Sequence, residues 1–317
     1  MKYVGIQTQI SRNNTRSCIL LLAFPTIIFG MMYAILWAIN AIVMAGKKLT
    51  IPLYNPNEKF LQYLPYAIII VGAWFLIAYF IHSTLICAVT GSKPLDRKEN
   101  KRVYNLVENL CIQEGMRTPR MYIINDDSLN AFASGINKST YAISLSKGII
   151  EKLDDDELQS VIAHELSHIK NRDVRLLIIS IIFVGILAFL TEMLFRQVLY
   201  GNLGGRKKDK DNILITLAIL GIVSICYLFS IIIRFGISRS REYMADAGAA
   251  EMTKKPYALA NALSKIKGDP QIEAVKNRDV AQLFIENPQV AKKSFWDNLF
   301  STHPPIDKRI QLLNQYA

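Results

Sequence analysis

Cysteine and histidine are both scarce, four of each in 317 residues. Cys18, Cys87, Cys111 and Cys226 form no C-x-x-C pair, and three of them fall in apolar runs. Neither a disulfide framework nor a cysteine-zinc site is implied. Internal repeats and low-complexity segments are lacking as well. The most informative absence is of charge: Cys18–Ala45 and Leu64–Val89 contain no Lys, Arg, Asp or Glu. A bilayer needs about 20 apolar residues of helix, so each run is long enough to span it. A basic tail with Lys2, Arg12 and Arg16 precedes the first run. That run is too long for the core of a signal peptide and is followed by no convincing small-residue cleavage site, so an uncleaved anchor is expected.

Two further apolar runs follow, Leu176–Thr191 and Asn212–Ile233. The former is shorter and is interrupted by Glu192. Its pairing with the latter keeps the polar segments on either side in one compartment. Four transmembrane helices are therefore expected. They divide the chain into a basic tail (1–17), a first helix pair with its loop (18–89), a polar segment (90–173), a second helix pair (174–236) and a second polar segment (237–317). Each polar segment is small for a core of its own, and together they can form one domain.

The net charge of +11 invites a nucleic-acid reading, but Lys and Arg flank the apolar runs and form no stripe interleaved with aromatics. Nucleic acid is excluded in favour of topology signals and contact with the anionic lipid bilayer. The side holding the N-terminus and both polar segments carries roughly twice as many Lys and Arg as the other, which makes it the cytoplasmic side. The basic loop "GGRKKDKDN", residues 204–212, runs against this orientation.

In the first polar segment, Val103, Leu106, Val107 and Leu110 follow helical spacing, predicting an amphipathic helix between Pro94 and Gly115. "RMYIIND" and "STYAISLS" read as short strands, the second alternating Tyr141, Ile143 and Leu145 with Ala142, Ser144 and Ser146. After Gly148 a helix returns, with Asp154, Asp155 and Asp156 as candidate caps. The second polar segment reads as helices over "SRSREYMADAGAAEM", "PYALANALSKIK" and "PIDKRIQLLNQY", separated by an irregular stretch, 268–301, with an apolar patch at Phe295, Trp296, Leu299 and Phe300.

"VIAHELSHIK", residues 161–170, concentrates the chemistry. Side chains four apart on a helix share a face, so His164 and His168 can aim both imidazoles at one cation. A catalytic zinc takes three protein ligands and keeps one position open, and Glu165 could take the proton of a water there. This is the H-E-x-x-H arrangement. Two solvated histidines on an exposed face are the bland alternative. Leu158, Ile162, Leu166 and Ile169 argue against it, because they set the histidines at the border of a packed interior. Glu242, with Asp246 four residues on, can supply a third ligand and a supporting acid, or form a salt-bridged helix with Arg239 and Arg241. Joined to the first motif, the metal reading leads. His303 stands before two prolines that fix a rigid turn ahead of a helix. It is either a donor to a developing oxyanion or a capping or core histidine. His82, inside the second apolar run, reads as structural.

Taken together, "NAFASG" (130–135), "AISLSKGIIEKLDDDELQSVIAHELSHIKNRD" (142–173), "SREYMADAGAA" (240–250) and "STHPPIDKRI" (301–310) make the chain resemble an HtpX-type membrane zinc metallopeptidase. The resemblance runs in order over most of the chain. It implies a mainly α, multi-pass protein with a zincin-like α+β catalytic domain containing a small sheet. It implies one Zn2+ held by His164, His168 and Glu242, Glu165 as catalytic glutamate, and Asp246 as supporting acid. It further implies a late histidine at His303, an arginine at Arg309 that holds that region in place, and Asn130 beside the cleft near an edge strand able to take up substrate by strand addition. The implied substrates are misfolded or surplus membrane proteins in a stress-response, quality-control role at the cell membrane. Two rivals stand beside it. A CAAX prenyl protease shares the zinc motifs, but that family is longer and has more spans. A membrane scaffold with a structural or degenerate zinc site is opposed by the intact quartet of His164, Glu165, His168 and Glu242. The longer loop over Gly46–Tyr63 and the basic loop depart from the family's pattern.

Overall fold

The computed structural model of the chain describes residues 6–47, 54–201, 210–235, 239–268, 284–285 and 304–316. The charge-free runs form the middles of two long helices, α1 (Ile6–Lys47) and α2 (Pro56–Thr90). The N–H of Asn57 donates to Asn55 Oδ1, and Pro56 takes the first helical position, where its missing N–H leaves nothing unpaired. α1 ends at Lys47 and α2 begins at Pro56, so both helices reach into the stretch Gly46–Tyr63 that the sequence reads as a loop.

The second pair is α6 (Asp173–Gly201) and α7 (Lys210–Phe235). Glu192 does not end α6: it accepts a hydrogen bond from Arg196 Nε one turn on, at 2.7 Å, and the helix continues past the pair. Among the described residues four helices are thus long and apolar enough to cross a membrane, at Ser11–Lys47, Pro56–Thr90, Asp173–Met193 and Ile213–Ser230.

The chain divides into two compact units. One comprises Cys18–Phe80 and Ser180–Arg234. Within it, Phe183 stacks on Phe24 and Phe75, with ring centroids 4.7 and 5.6 Å apart, and Met31, Leu187 and Val223 form a buried cluster. Leu22, Ile69 and Ile70 are 72%, 67% and 67% exposed. Apolar side chains on the outside of apolar helices call for lipid as the surrounding solvent. The chain is a multi-pass membrane protein.

The other unit comprises Met1–Ser17, Ile81–Ile179 and Phe235–Ala317. Its four-stranded mixed sheet has strands β1 (Ser92–Pro94), β2 (Arg120–Ile124), β3 (Ala131–Ser134) and β4 (Ala142–Ser146), in the order β1-β2-β4-β3. β2 and β4 are parallel, in register from Arg120 opposite Ala142, and the outer pairs are antiparallel. The alternation along β4 does not mark a solvent face, because all five of its residues are buried. Ser146 on the polar side donates to Ser128 O at 2.6 Å and accepts from the N–H of Asn130 at 3.1 Å.

The described helices of this unit are α3 (Lys101–Gln113), α4 (Lys147–Lys152), α5 (Asp155–Lys170), α8 (Arg239–Thr253), α9 (Pro256–Ile266) and α10 (Ile306–Leu313), of which α4 packs on β4 and α5 on β3. α3 starts seven residues after Pro94, the boundary the sequence suggests. Leu95 N–H first extends the β1–β2 pairing by donating to Met121 O, and Asn100 then caps the helix by accepting from Val103 N–H. α5 packs against α3, α8, α9 and β3. Leu158, Val161, Ile162 and Leu166 are fully buried there, each contributing about 1.5–3 kcal/mol by leaving water. That burial fixes α5 at the centre of the unit.

Candidate metal centre

α5 begins with a reciprocal cap. Asp154 accepts from the N–H of Glu157 at 2.9 Å, and Glu157 accepts from the N–H of Asp154 at 3.0 Å. From this start, three turns of helix carry His164, Glu165 and His168 into the interior. His164 is fully buried, Glu165 nearly so, and His168 half-buried. The two imidazole planes stand nearly perpendicular, at 87°, and their Nε2 atoms are 3.2 Å apart.

α8 closes the group from the other side. Gly248 lets it approach α5 closely: a Cβ there would stand 2.4 Å from Ser167 Oγ and 3.2 Å from Ser167 Cβ. Two turns earlier on α8, Glu242 presents one carboxylate oxygen to each ring, Oε2 at 3.6 Å from His164 Nε2 and Oε1 at 3.6 Å from His168 Nε2. The ligating atoms of His164, His168 and Glu242 all lie within 4.8 Å of one another. Two imidazole nitrogens 3.2 Å apart either share a proton or face a common cation. The donor set of two imidazoles and a carboxylate suits a divalent cation.

Behind these groups, Asp246 Oδ1 lies 3.0 Å from His164 Nδ1. Arg309, fully buried on α10, grips the same carboxylate with both arms: Nε donates to Oδ2 at 2.9 Å and Nη2 to Oδ1 at 2.7 Å. Its third nitrogen, Nη1, donates to Ile285 O at 3.0 Å. Burial works against the Asp246 carboxylate, but Arg309 and His164 override it and hold its pKa below the usual aspartate value. Burial likewise opposes protonation of His164, yet Asp246 and Glu242 raise its pKa to about 9 in the absence of a metal. A bound dication would replace that proton. Glu165 is pushed upward, chiefly by its own burial, while the two histidines and a hydrogen bond from the N–H of Ala133 on β3 pull the other way.

Of the residues singled out in the sequence, the structure thus brings together His164, Glu165, His168, Glu242, Asp246 and Arg309. Asn130 is buried at the head of β3, with its Oδ1 accepting from the N–H of Ala131 at 3.0 Å. His303 and the apolar patch at Phe295, Trp296, Leu299 and Phe300 lie outside the described residues, and Pro304 and Pro305 lead directly into α10. One participant escaped sequence reasoning. Asp173, 2% exposed, places Oδ2 3.1 Å from His168 Nδ1, which gives the second histidine a carboxylate partner to match the first. The cysteines stay apart from this chemistry; all four are free, and burial pushes the Cys111 thiol up to about 11.

A multi-pass membrane protein in which the two histidines of an H-E-x-x-H helix meet a glutamate from a second helix belongs to the class of membrane metallopeptidases. The family model described as Peptidase family M48 matches residues 97–317. A Protease HtpX homolog of Bacteroides fragilis (strain YCH46) is 54% identical over 324 aligned residues, covering 100% of both chains. Another, from Dictyoglomus thermophilum, is 38% identical over 246 residues, covering 75% of this chain and 79% of the relative. The chain is also similar, more distantly, to the crystal structure of S. mikatae Ste24p, with a TM-score of 0.49 at 20% identity over 88% of this chain and 62% of that one. The chain belongs to peptidase family M48. It is a membrane metalloprotease, a metal-dependent hydrolase of peptide bonds.

Proposed function

We propose that the chain is a zinc endopeptidase in which His164, His168 and Glu242 hold one Zn2+. The observation that carries this reading is the convergence of the three side chains from α5 and α8, helices separated in sequence by two membrane spans. Zinc–nitrogen and zinc–oxygen bonds of about 2.0–2.1 Å in a tetrahedron separate neighbouring ligand atoms by about 3.3 Å. The nitrogens are 3.2 Å apart, each carboxylate oxygen lies 3.6 Å from one of them, and all the ligand atoms fall within 4.8 Å, so the residues are placed to close on that ion. Among the described residues three donors converge, the ligand number of catalytic rather than structural zinc sites. When bound, zinc supplies Lewis acidity toward both the scissile carbonyl and water.

The remaining roles fall to the protein. Glu165 is the general base that accepts the proton of the attacking water and then delivers it to the leaving amine; its upward-shifted pKa suits a carboxylate that must hold a proton between those events. Asp246 and Arg309 hold the His164 ring in orientation. His303 is assigned the donor to the tetrahedral oxyanion. Asn130 stands beside the cleft, and substrate adds as a strand to β3, the edge strand that follows it. Phe284 bridges Phe132 and Ile285 N–H donates to Ala131 O at 2.8 Å, which confines that addition to the Ala133–Ser134 end of the edge. The substrates are unfolded polypeptides and misfolded or surplus membrane proteins, and the excess of Lys and Arg puts the catalytic unit on the cytoplasmic side of the cell membrane.

The test is cleavage of casein by the purified full chain in detergent. Zinc-dependent cleavage that disappears in Glu165→Gln while the variant keeps its zinc supports the mechanism. Undiminished cleavage in that variant rules Glu165 out as the base.

A further inference from the structure

The turn between α5 and α6 is under strain. Arg172 adopts φ 60°, a left-handed conformation that costs a residue with a Cβ roughly 1–2 kcal/mol. Two adjacent residues near the start of α1 hold this turn. Asn14 Oδ1 accepts from Arg172 Nη1 at 2.8 Å and from Arg175 Nη2 at 2.7 Å. Asn13, fully buried, uses its Nδ2 group twice: it donates to Asn171 O at 2.9 Å and to Asp173 Oδ1 at 2.6 Å. The other oxygen of Asp173 faces His168 Nδ1.

We propose that Asn13 is a positioning residue for the metal site: by pinning one oxygen of Asp173 it aims the other at His168 and so fixes the ring that binds the metal. The inference rests on the reading of His168 as a zinc ligand. A carboxylate accepting the Nδ1 proton leaves the Nε2 lone pair pointing at His164 and Glu242, the tautomer that ligation requires. An Asp173 side chain held only at the His168 end keeps its rotamer freedom, and the ring shares that freedom. An asparagine suits the pinning position because its amide offers two donors, one for the turn carbonyl and one for the carboxylate. The opening turns of the first membrane-spanning helix are in this way part of the metal site.

The experiment is zinc affinity of the full chain in detergent, measured by competition with a chelating dye. Asn13→Leu, close in volume but without donors, is expected to weaken zinc binding about tenfold, and Asp173→Asn by about 10–100-fold, the range for partners of metal-ligating histidines. The double variant is expected to match Asp173→Asn alone, because Asn13 acts through Asp173. Asn14→Ala loosens the same turn without touching Asp173 and is expected to stay within about twofold of the parent, a contrast that a merely structural role would not produce. Asn13→Ala replaces Asn13→Leu if the leucine fails to pack. Wild-type affinity in the Asn13 variant, losses that multiply in the double variant, or an equal loss in Asn14→Ala would each overturn the proposal. His164→Ala separates the two levels: if it binds zinc as tightly as the parent, the metal-site reading itself fails, whatever Asn13 does.

Discussion

Replacing Arg309 by methionine removes the most heavily used buried cation of the catalytic unit. The guanidinium donates twice to Asp246 and once to Ile285 O, and Nη2 also lies 3.4 Å from His164 Nε2; each of the three bonds to Asp246 and Ile285 is worth about 1.5–3 kcal/mol. Their sum, about 4.5–9 kcal/mol, is an upper bound, because burying a guanidinium has its own desolvation cost. The variant also leaves Asp246, 4% exposed, without the stronger of its two partners, His164 Nδ1 at 3.0 Å being the other. Breaking a buried pair from one side costs about 3–5 kcal/mol. At about 2–4 °C per kcal/mol for a unit of this size, the unfolding midpoint falls by about 6–20 °C. Differential scanning fluorimetry of the detergent-solubilised chain reads this directly. Adding Asp246→Leu removes that carboxylate and recovers part of the loss, although His164 then lacks its partner. A midpoint shift of less than about 2 °C in Arg309→Met would refute the view that this pair clamps α10 to α8.

Three further outcomes follow from the same geometry. In the metal-free chain His164 has a folded pKa of about 9, above its unfolded value near 6.5. Its contribution, on the order of 3 kcal/mol, is therefore fully present below about pH 6.5 and is lost as pH rises through 9. Thermal midpoints of metal-free protein should fall across that window, and a flat profile would contradict the shift. Zinc-loaded protein lacks this dependence, because the ligating ring is neutral throughout. Gly248→Val forces α8 away from Ser167 on α5, costing about 1–3 kcal/mol by overpacking. Because Glu242 rides on the same helix, zinc content after dialysis should fall as well, and an unchanged zinc content would show that the close approach does not set the Glu242 position.

The parts legible in the sequence are those governed by a single local period. His164, Glu165 and His168 announce themselves because i and i+4 share a helix face, and Glu242 with Asp246 repeats the spacing on α8. The membrane helices were equally plain in Cys18–Ala45 and Leu64–Val89, where charge is missing altogether. Glu192 made the third helix look shorter than it is, since its i,i+4 pairing with Arg196 is visible only once the helix is known to continue. Asp173 was missed for a physical reason. It lies beyond the end of α5, and the left-handed turn at Arg172, which no periodicity encodes, folds it back toward His168. Asn13 was hidden by distance, 160 residues from Asp173 along the chain. β1 and β3 gave no alternation to read: β1 is three residues long, and every residue of β3 is buried.

Zinc K-edge X-ray absorption of the full chain tests the central claim most directly. The account predicts one zinc with a first shell of nitrogen and oxygen only, at about 2.0–2.1 Å, two imidazoles among the scatterers, and a changed shell in Glu242→Ala. A sulfur scatterer at about 2.3 Å, or a spectrum that Glu242→Ala leaves unaltered, would contradict it.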